Sequence, residues 1–184
     1  MPDKNFISYT GKVGYVESLV VDPTPGVEWS DALKFSNVTD STFDNVRITR
    51  AGKEDGIDMN NYSSRNILRR WIVPCGKQAL TLKGGSRDNL LIDWVIVGRG
   101  KHVELEFGNW SDQSEGLSTG NIVQRVRCDD GGPVRYAGRF GCLPKFEESQ
   151  VKHVWWMSVG ITLYFWTKYL ISSKPQKTDG KKKA

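Results

Sequence analysis

Three carboxylates in the middle of the chain are the side chains best suited to chemistry: Asp55, Asp58 and Glu104. If the 23-residue repeat of the chain keeps its register, Asp58 and Glu104 stand in one outward column, two rungs and therefore about 10 Å apart. Such a separation is near the upper end for a pair in which one carboxyl group protonates a glycosidic oxygen and the other activates water. The alternative, which we favour, is that both carboxylates form charge pairs along a solvated sheet face.

One sequence phrase recurs along the chain, and the elements it forms must position these carboxylates. GIDMNNYSSRNILRRWIV aligns with ALTLKGGSRDNLLIDWVI at an offset of 23 residues, which matches Ile57 with Leu80 and then with Val103. An offset of 24 leads back from Ile57 to Leu33. Periods of 20 to 25 residues are typical of leucine-rich repeats and of parallel β-solenoids. Because no Leu-x-x-Leu-x-Leu phrase occurs, the repeat favours the solenoid.

Each repeat holds two strand-like runs. The run HVELEF alternates apolar and polar residues, which predicts a strand with one buried and one solvated face. The second run of each repeat begins at an asparagine, a residue that tolerates left-handed corners and can form amide ladders. These asparagines are Asn45, Asn66, Asn89 and Asn121. The prediction is an all-β fold: a right-handed, single-stranded parallel β-helix of about four to five coils with a C-terminal apolar, helical segment.

Two tryptophans and one arginine test the register of the repeat. Trp71 and Trp94 correspond in the repeat, and we expect their rings to pack together at a coil corner. Arg69 corresponds to Ile92, at a position where the repeat predicts an inward apolar residue. Either the register slips at Arg69 or the side chain leaves the core through a bulge.

The chain divides into four regions. Residues 1–29 are predicted to cap the open end of the solenoid, 30–151 to form the coils, 152–172 to form an apolar aromatic segment, and 173–184 to be a basic disordered tail. The fourth coil is about ten residues longer than the others, and its excess lies at 109–120. Insertions of this kind usually form a loop on one flank, where repeat proteins place binding surfaces.

The rhythm of EDGIDMNN followed by GKQALTLKGGSRDNLLI resembles the right-handed β-helices of the pectate-lyase superfamily, which includes polygalacturonases and phage tailspikes. The resemblance implies an acidic catalytic site at Asp55. However, Lys77 and Gln78 stand where polygalacturonases carry an acidic pair, His102 lies in no GHG phrase, and Arg87 lacks the aspartate cluster of pectate lyases. A looser likeness connects the chain with small β-helix proteins of bacterial viruses.

The composition of the chain limits the kinds of partner and cofactor that we expect it to bind. The net charge of +5 includes five lysines within the last eleven residues, so the rest of the chain is about neutral and its charge does not favour nucleic-acid binding. Three cysteines without CxxC spacing predict buried free thiols, and we expect no metal site and no cofactor. The N-terminus has no apolar run typical of a cleavable signal peptide.

Residues 154–171, VWWMSVGITLYFWTKYLI, carry one charge, and a helix of that length is just under the thickness of a bilayer core. Its aromatic residues gather at both ends, as at membrane interfaces: Trp155, Trp156, Tyr164, Phe165, Trp166 and Tyr169. A membrane anchor and a cap or homo-oligomer contact remain equally open. If the segment is inserted, the lysines after it predict a cytoplasmic tail.

These patterns together predict a non-enzymatic structural or attachment module, phage-encoded and located on a phage particle or at a membrane. It is expected to present a solenoid face and the 109–120 loop to a polysaccharide or virion protein. The residues predicted to bind are Lys83, Arg87, Glu106, Trp110 and Asp112. The alternative is an enzyme that cleaves an acidic polysaccharide with Asp55, Asp58 and Glu104.

Overall fold

The computed structural model of the protein describes residues 4–108 and 112–154. Within these residues the chain forms eighteen short strands and one helical turn. In chain order they are β1 (Ile7–Gly11), β2 (Tyr15–Glu17), β3 (Val20–Val21), β4 (Asp31–Val38), β5 (Thr42–Asp44), β6 (Arg47–Ile48), β7 (Asp55–Asn60), β8 (Ile67–Arg69), β9 (Ile72–Pro74), β10 (Gln78–Leu82), β11 (Leu90–Ile92), β12 (Val95–Val97), β13 (Leu105–Phe107), α1 (Asp112–Glu115), β14 (Ile122–Gln124), β15 (Arg127–Cys128), β16 (Val134–Gly138), β17 (Lys145–Glu147) and β18 (Val151–His153).

The strands stack into three parallel sheets. Sheet 1 has the order β1-β4-β7-β10-β13-β16-β18, sheet 2 the order β2-β5-β8-β11-β14-β17, and sheet 3 the order β3-β6-β9-β12-β15. Up to β17 each strand therefore pairs with the strand three places later, β18 then pairs with β16, and all of these pairs are parallel. The chain is a parallel β-solenoid of about five turns, which confirms the predicted fold class. Each turn holds three strands, whereas the sequence pattern predicted two.

The register explains which repeat positions were predicted well. Leu33 pairs with Ile57, and Ile57 pairs with Leu80, as the offsets of 24 and 23 predicted. The next partner of Leu80 is Leu105, however, and the predicted partner Val103 lies outside the ladder. The reason is the connection between sheets 3 and 1, which is longer before β13 than before β10 and moves the following strand forward.

The N-terminal stretch does more than cap the solenoid. Strands β1, β2 and β3 pair in parallel with β4, β5 and β6, so they form a first turn of the same three sheets. This turn falls within residues 1–29, which we expected to lie outside the coils. Its apolar residues pack on the same core: Phe6, Ile7, Tyr9, Val13, Val16 and Leu19.

Single residues with positive φ turn the chain on both sides of sheet 2. The entry row lies two positions before the strands and comprises Asp40, Arg65, Asp88 and Gly120. The exit row directly follows the strands and comprises Ser18, Asn45, Arg70, Asp93, Arg125 and Glu148. The left-handed bend was expected at Asn66, Asn89 and Asn121, but the residue before each of them makes it.

The three asparagines instead form a buried amide row next to the entry row. Asn89 Oδ1 accepts hydrogen bonds from the backbone N–H of Asn66 (3.1 Å) and from its Nδ2 (3.0 Å), and Asn121 Oδ1 does the same for Asn89. Ser41, rather than Asn45, continues this row: its N–H donates to Asn66 Oδ1. The amide ladder was therefore predicted correctly, but Asn45 belongs to the other corner.

Aromatic side chains fill the core beside these corners. Trp71 and Trp94 stack with ring centroids 5.3 Å apart and an interplanar angle of 9°, as the repeat predicted. Their Nε1 groups donate to the carbonyls of Phe43 (2.9 Å) and Leu68 (2.8 Å), which satisfies both buried donors. Arg69 and Ile92 pair in register on the outer face of sheet 2, so neither a slip nor a bulge is needed.

Candidate functional site

The outer face of sheet 1, here called the polar face, gathers charged side chains that are almost completely buried. No more than 8% of each of the following residues is exposed: Asp31, Asp55, Asp58, Asn60, Thr81 and Glu106. Their positions follow from the ladder, since Asp31 pairs with Asp55 in register and Lys34 with Asp58. The face was expected to be solvated. Long side chains from neighbouring rungs shield it instead, as the ion pairs of Asp58 with Lys34 and Lys83 show.

Asp55 has the most perturbed acidity of the polar face. Burial, together with the nearby charges of Asp31 and Asp58, raises the pKa of its carboxyl group to about 8. A hydrogen bond from Thr81 and the charge of Lys83 act in the opposite direction but do not outweigh burial. Asp55 is therefore mostly protonated at neutral pH.

Asp58 lies between two lysines on neighbouring rungs. Its carboxylate oxygens lie 3.4 Å from Lys34 Nζ and 3.1 Å from Lys83 Nζ, and Asn60 Nδ2 donates to it at 3.0 Å. Burial lowers the pKa of Lys83, but the charge and hydrogen bond of Asp58 raise it more, so the net shift is upward. These lysines place two positive charges beside a carboxyl group that is almost completely buried.

Glu106 completes the column that runs through Asp58 and Thr81. Thr81 pairs in register with Asp58 on one side and with Glu106 on the other. Arg139 Nε lies 2.8 Å from Glu106 Oε1, and Gln78 Nε2 donates to Oε2 at 2.7 Å. Glu106, predicted to bind a partner, thus serves first as the partner of two side chains of the protein itself.

Glu104 does not belong to this face, which corrects the predicted pair of Asp58 and Glu104. The longer connection before β13 places Glu106, not Glu104, in the Asp58 column. Glu104 is completely buried at another corner, where Arg135 Nη2 approaches its Oε1 to 2.6 Å and Arg99 Nη1 its Oε2 to 3.4 Å. The hydrogen bond and charge of Glu104 outweigh burial and raise the pKa of Arg135. This network closes the turn between sheets 3 and 1.

The remaining predicted binding residues lie apart from one another. Lys83 lies on the polar face, and Arg87 is exposed at the corner where sheet 1 turns into sheet 2. Asp112 is 2% exposed and anchors the insertion: it accepts hydrogen bonds from the N–H groups of Gly84 (3.2 Å) and Ser118 (3.0 Å). Trp110 lies outside the described residues. The structure thus gives Asp112 a supporting position rather than an exposed one.

The predicted membrane or oligomer contacts also lie outside the described residues. They are Trp155, Trp156, Tyr164, Phe165, Trp166 and Tyr169, together with the basic tail. In residues 4–108 and 112–154, no helix is long and apolar enough to cross a membrane.

The described part of the chain contains three cysteines and other residues of the types that can bind metal ions. There, no group of three or more His, Cys, Asp or Glu side chains is arranged to hold a metal ion. Cys75, Cys128 and Cys142 are free thiols. Burial raises the pKa of Cys75 to about 12 and that of each of the other two to about 11, so these thiols are poor nucleophiles at neutral pH.

A cleft of about 530 Å³ opens away from the polar face, and Asp93, Arg125 and Glu148 are among the residues that line it. Arg125 pairs with both acids, at 2.7 Å to Asp93 and 3.7 Å to Glu148. The cleft therefore has volume but no group set apart for acid–base chemistry. We place the candidate site on the polar face, where perturbed acidity and buried charge coincide.

The sequence interpretation missed several members of this site. Asp31, Asn60 and Arg139 were not predicted as site residues, although Asp31 aligns with Asp55 at the 24-residue offset that the repeat had already given. Arg139 had no such signal, because it lies outside the strands, at the start of the connection between β16 and β17.

Comparison with known proteins found no match to this chain among protein-family models, curated proteins or solved structures.

Proposed function

We propose that this protein is a rigid, non-enzymatic attachment module whose polar face, with the neighbouring 109–120 insertion, binds an extended polysaccharide. One observation carries the proposal. Each carboxyl group that the sequence suggested for catalysis is buried and compensated within the fold: burial raises the pKa of Asp55 to about 8, two lysines pair with Asp58, and two arginines pair with Glu104. Carboxyl groups that are compensated in this way hold the surrounding side chains in one fixed arrangement.

The backbone supports this function because it is stiff along the solenoid axis. Sheet 1 stacks seven strands, which at about 4.8 Å per rung gives a face roughly 29 Å long. Side-chain ladders, namely the amide row and the Trp71–Trp94 stack, tie the rungs together beneath it. A rigid face with polar groups at a regular spacing suits a linear polymer, because little conformational entropy is lost on binding.

Two side chains at the end of β7 differ in their access to a ligand. Asn60 Oδ1 is buried and accepts no hydrogen bond from the described residues. Tyr62, two residues further on, is 48% exposed at the same end of β7. The buried amide is out of reach of a ligand, but the exposed aromatic ring of Tyr62 suits a sugar ring face.

We also propose that the chain belongs with the pectate-lyase-like β-helices and that it acts on a phage particle or at a membrane. The support is the three-sheet parallel solenoid, the EDGIDMNN phrase and the aromatic segment at 154–171.

The test is binding and turnover on a panel of uronate-containing polysaccharides. We expect retention on at least one of them without release of reducing ends or unsaturated products. Arg87→Ala, exposed beside the polar face, should weaken retention, whereas Arg47→Ala, exposed on sheet 3, should not. If no polysaccharide is retained, or if both variants behave alike, the proposed binding face is wrong.

A second function, polysaccharide cleavage, is favoured by the contrast between Asp55 and Asp58. A protonated acid with a pKa of about 8 lies three residues from a lysine-paired carboxylate on the same strand, and an acid and a base of this kind are what glycosidic cleavage requires. In that case Asp55 donates a proton to the leaving oxygen and Asp58 acts as the base. Product formation that Asp55→Asn abolishes, with retention unchanged, would establish the enzyme and exclude the attachment-only function.

A further inference from the structure

The outer face of sheet 2 carries an apolar stripe that the proposed function does not use. Tyr15 is 59% exposed and Ile67 39% exposed, and Leu90, Ile92 and Ile122 are half-buried. The register aligns Tyr15, Thr42, Ile67, Leu90, Ile122 and Lys145 in one column along the solenoid, and the aliphatic part of this column runs from Ile67 to Ile122. Arg47 and Arg127, both exposed, leave only two successive aliphatic residues in the corresponding column of sheet 3, so a run of three is particular to sheet 2.

Charged rows flank this stripe on both sides, and their signs alternate from rung to rung. The entry row runs Asp40, Arg65, Asp88, and the exit row runs Arg70, Asp93, Arg125, Glu148. Within the chain, Arg65 pairs with Asp40 at 2.6 Å and Arg125 with Asp93 at 2.7 Å. The side chains of Arg65 and Arg70 nevertheless remain 55% and 53% exposed, so their guanidinium groups can still reach a partner.

We propose that a second copy of this chain packs on the outer face of sheet 2, with the two solenoid axes antiparallel. The pattern of charges selects this occupant and this orientation. A two-fold axis along the strands, midway between β8 and β11, places Arg65 opposite Asp88 of the partner copy and Arg70 opposite its Asp93. Under the same axis Ile67 faces Leu90, which joins the two stripes into one apolar contact.

A parallel arrangement is disfavoured by the same rows. A two-fold axis along the solenoid brings entry and exit rows of the same rung together, so that Arg65 faces Arg70 and Asp88 faces Asp93. Like charges brought together at a contact oppose association and suppress the wrong orientation. At the two central rungs, β8 and β11, the alternation of charge therefore makes the face complementary to itself only when one copy is inverted.

The size of the face sets the strength of the contact. Six strands span roughly 24 Å along the solenoid, and the distance from the entry row to the exit row is roughly 17 Å. Two copies then bury a total of roughly 800–1,000 Å², which is typical of weak and reversible association. The polar face of sheet 1 is left free in both copies, so the dimer displays two binding faces.

Sedimentation velocity of the full chain, from micromolar to several hundred micromolar, tests the contact. We expect a reversible dimer, and Ile67→Glu should raise its dissociation constant about ten-fold or more because a charge enters the apolar contact. Ile72→Glu is the matched control, since Ile72 on sheet 3 is also 39% exposed. A wild-type chain that stays monomeric, association that persists in Ile67→Glu, or equal effects of both variants would overturn the proposal.

A charge exchange tests the orientation independently of the stripe. Arg65→Asp and Asp88→Arg should each weaken the dimer, and the double variant should restore most of the lost affinity, because opposite charges again face each other. Circular dichroism confirms that each variant is folded. If the double variant dimerises no better than the single ones, the antiparallel arrangement is wrong.

Discussion

The outer faces of sheets 1 and 2 use the same parallel ladder for opposite chemistry. On sheet 1 the outward side chains are charged and almost completely buried, whereas on sheet 2 a stripe of aliphatic residues is partly exposed. Strand length contributes to this difference. The sheet 1 strands β4 and β7 have eight and six residues, so long lysines can fold over short acids, whereas the sheet 2 strands have only three. In a solenoid the inward residues make the fold, and the outward residues are free to serve function.

The two faces also treat a buried carboxylate differently. Asp55 on the polar face loses its charge, because burial raises its pKa to about 8. Asp44, on the outer face of sheet 2, keeps its charge: hydrogen bonds from Arg69 and Arg70 outweigh burial and lower its pKa to about 2. Arg70 Nε approaches Asp44 Oδ1 to 2.6 Å, and Arg69 binds the other oxygen. The solvent-facing arginines of sheet 2 thus lower the pKa of a buried carboxyl group, whereas the charge of Lys83 does not prevent burial from raising that of Asp55.

The largest expected effect is the pH dependence that Asp55 gives to stability. Between its ordinary pKa of 3.8 and the folded value of about 8, the folded state holds a proton that the unfolded state has lost. The contribution of Asp55 to the free energy of unfolding therefore falls as pH rises, by about 1.4 kcal/mol per pH unit within this interval. Urea unfolding from pH 4 to 8 should show this slope in the wild type and a flatter one in Asp55→Asn. Equal slopes would show that Asp55 titrates normally.

The amide row at the corner between the two faces should give the next largest effect. Asn89→Ala removes the acceptor of two Asn66 hydrogen bonds and leaves Ser63 O without its side-chain donor, all in a buried setting. We expect a loss of about 3 kcal/mol in the free energy of unfolding, measured by urea denaturation. The control is Asn61→Gly at an exposed position of positive φ, which should change stability by less than about 0.5 kcal/mol. Similar losses in both variants would contradict a special role for the row.

Replacement of Asp44 should have a smaller effect of the opposite pH sign. Asp44→Asn removes the anion beneath Arg69 and Arg70, and we expect a loss of about 1 kcal/mol at pH 7 because both guanidinium groups are half exposed. Since the folded pKa is depressed, this contribution is present above about pH 4 and disappears as pH falls towards 2. The difference between variant and wild type should therefore vanish in acid. If the difference in the free energy of unfolding persists at pH 2, it arises from packing and not from the charge of Asp44.

The smallest effect on stability is expected on the apolar stripe itself. Ile67→Thr at a 39% exposed position should change the free energy of unfolding of the monomer by no more than about 0.5 kcal/mol. Chemical denaturation at low protein concentration measures this value without contribution from association. A much larger loss would mean that the stripe stabilises the fold. The proposed contrast between the outer faces of sheets 1 and 2 would then be wrong.

The sequence predicted the inward columns better than the site. Ile57, Leu80 and the tryptophan pair followed from the repeat, because a buried column accepts only apolar side chains of similar size on successive rungs. The same repeat failed at Glu104. Connections between sheets lie outside the ladder and can lengthen by two residues without disturbing the core, which changes every outward column after them.

The sequence by itself determined that this chain stacks in parallel rungs around an apolar interior, since the 23-residue period of apolar residues is a property of local order. Only the tertiary structure decided which charges meet. Burial of Asp55, the two lysines around Asp58, the removal of Glu104 to another corner and the alternation of charge beside sheet 2 all depend on residues that are more than twenty positions apart in the chain. Electrostatic interactions depend on the distance between charges and on exclusion of water, and the spacing of residues along one strand determines neither of these.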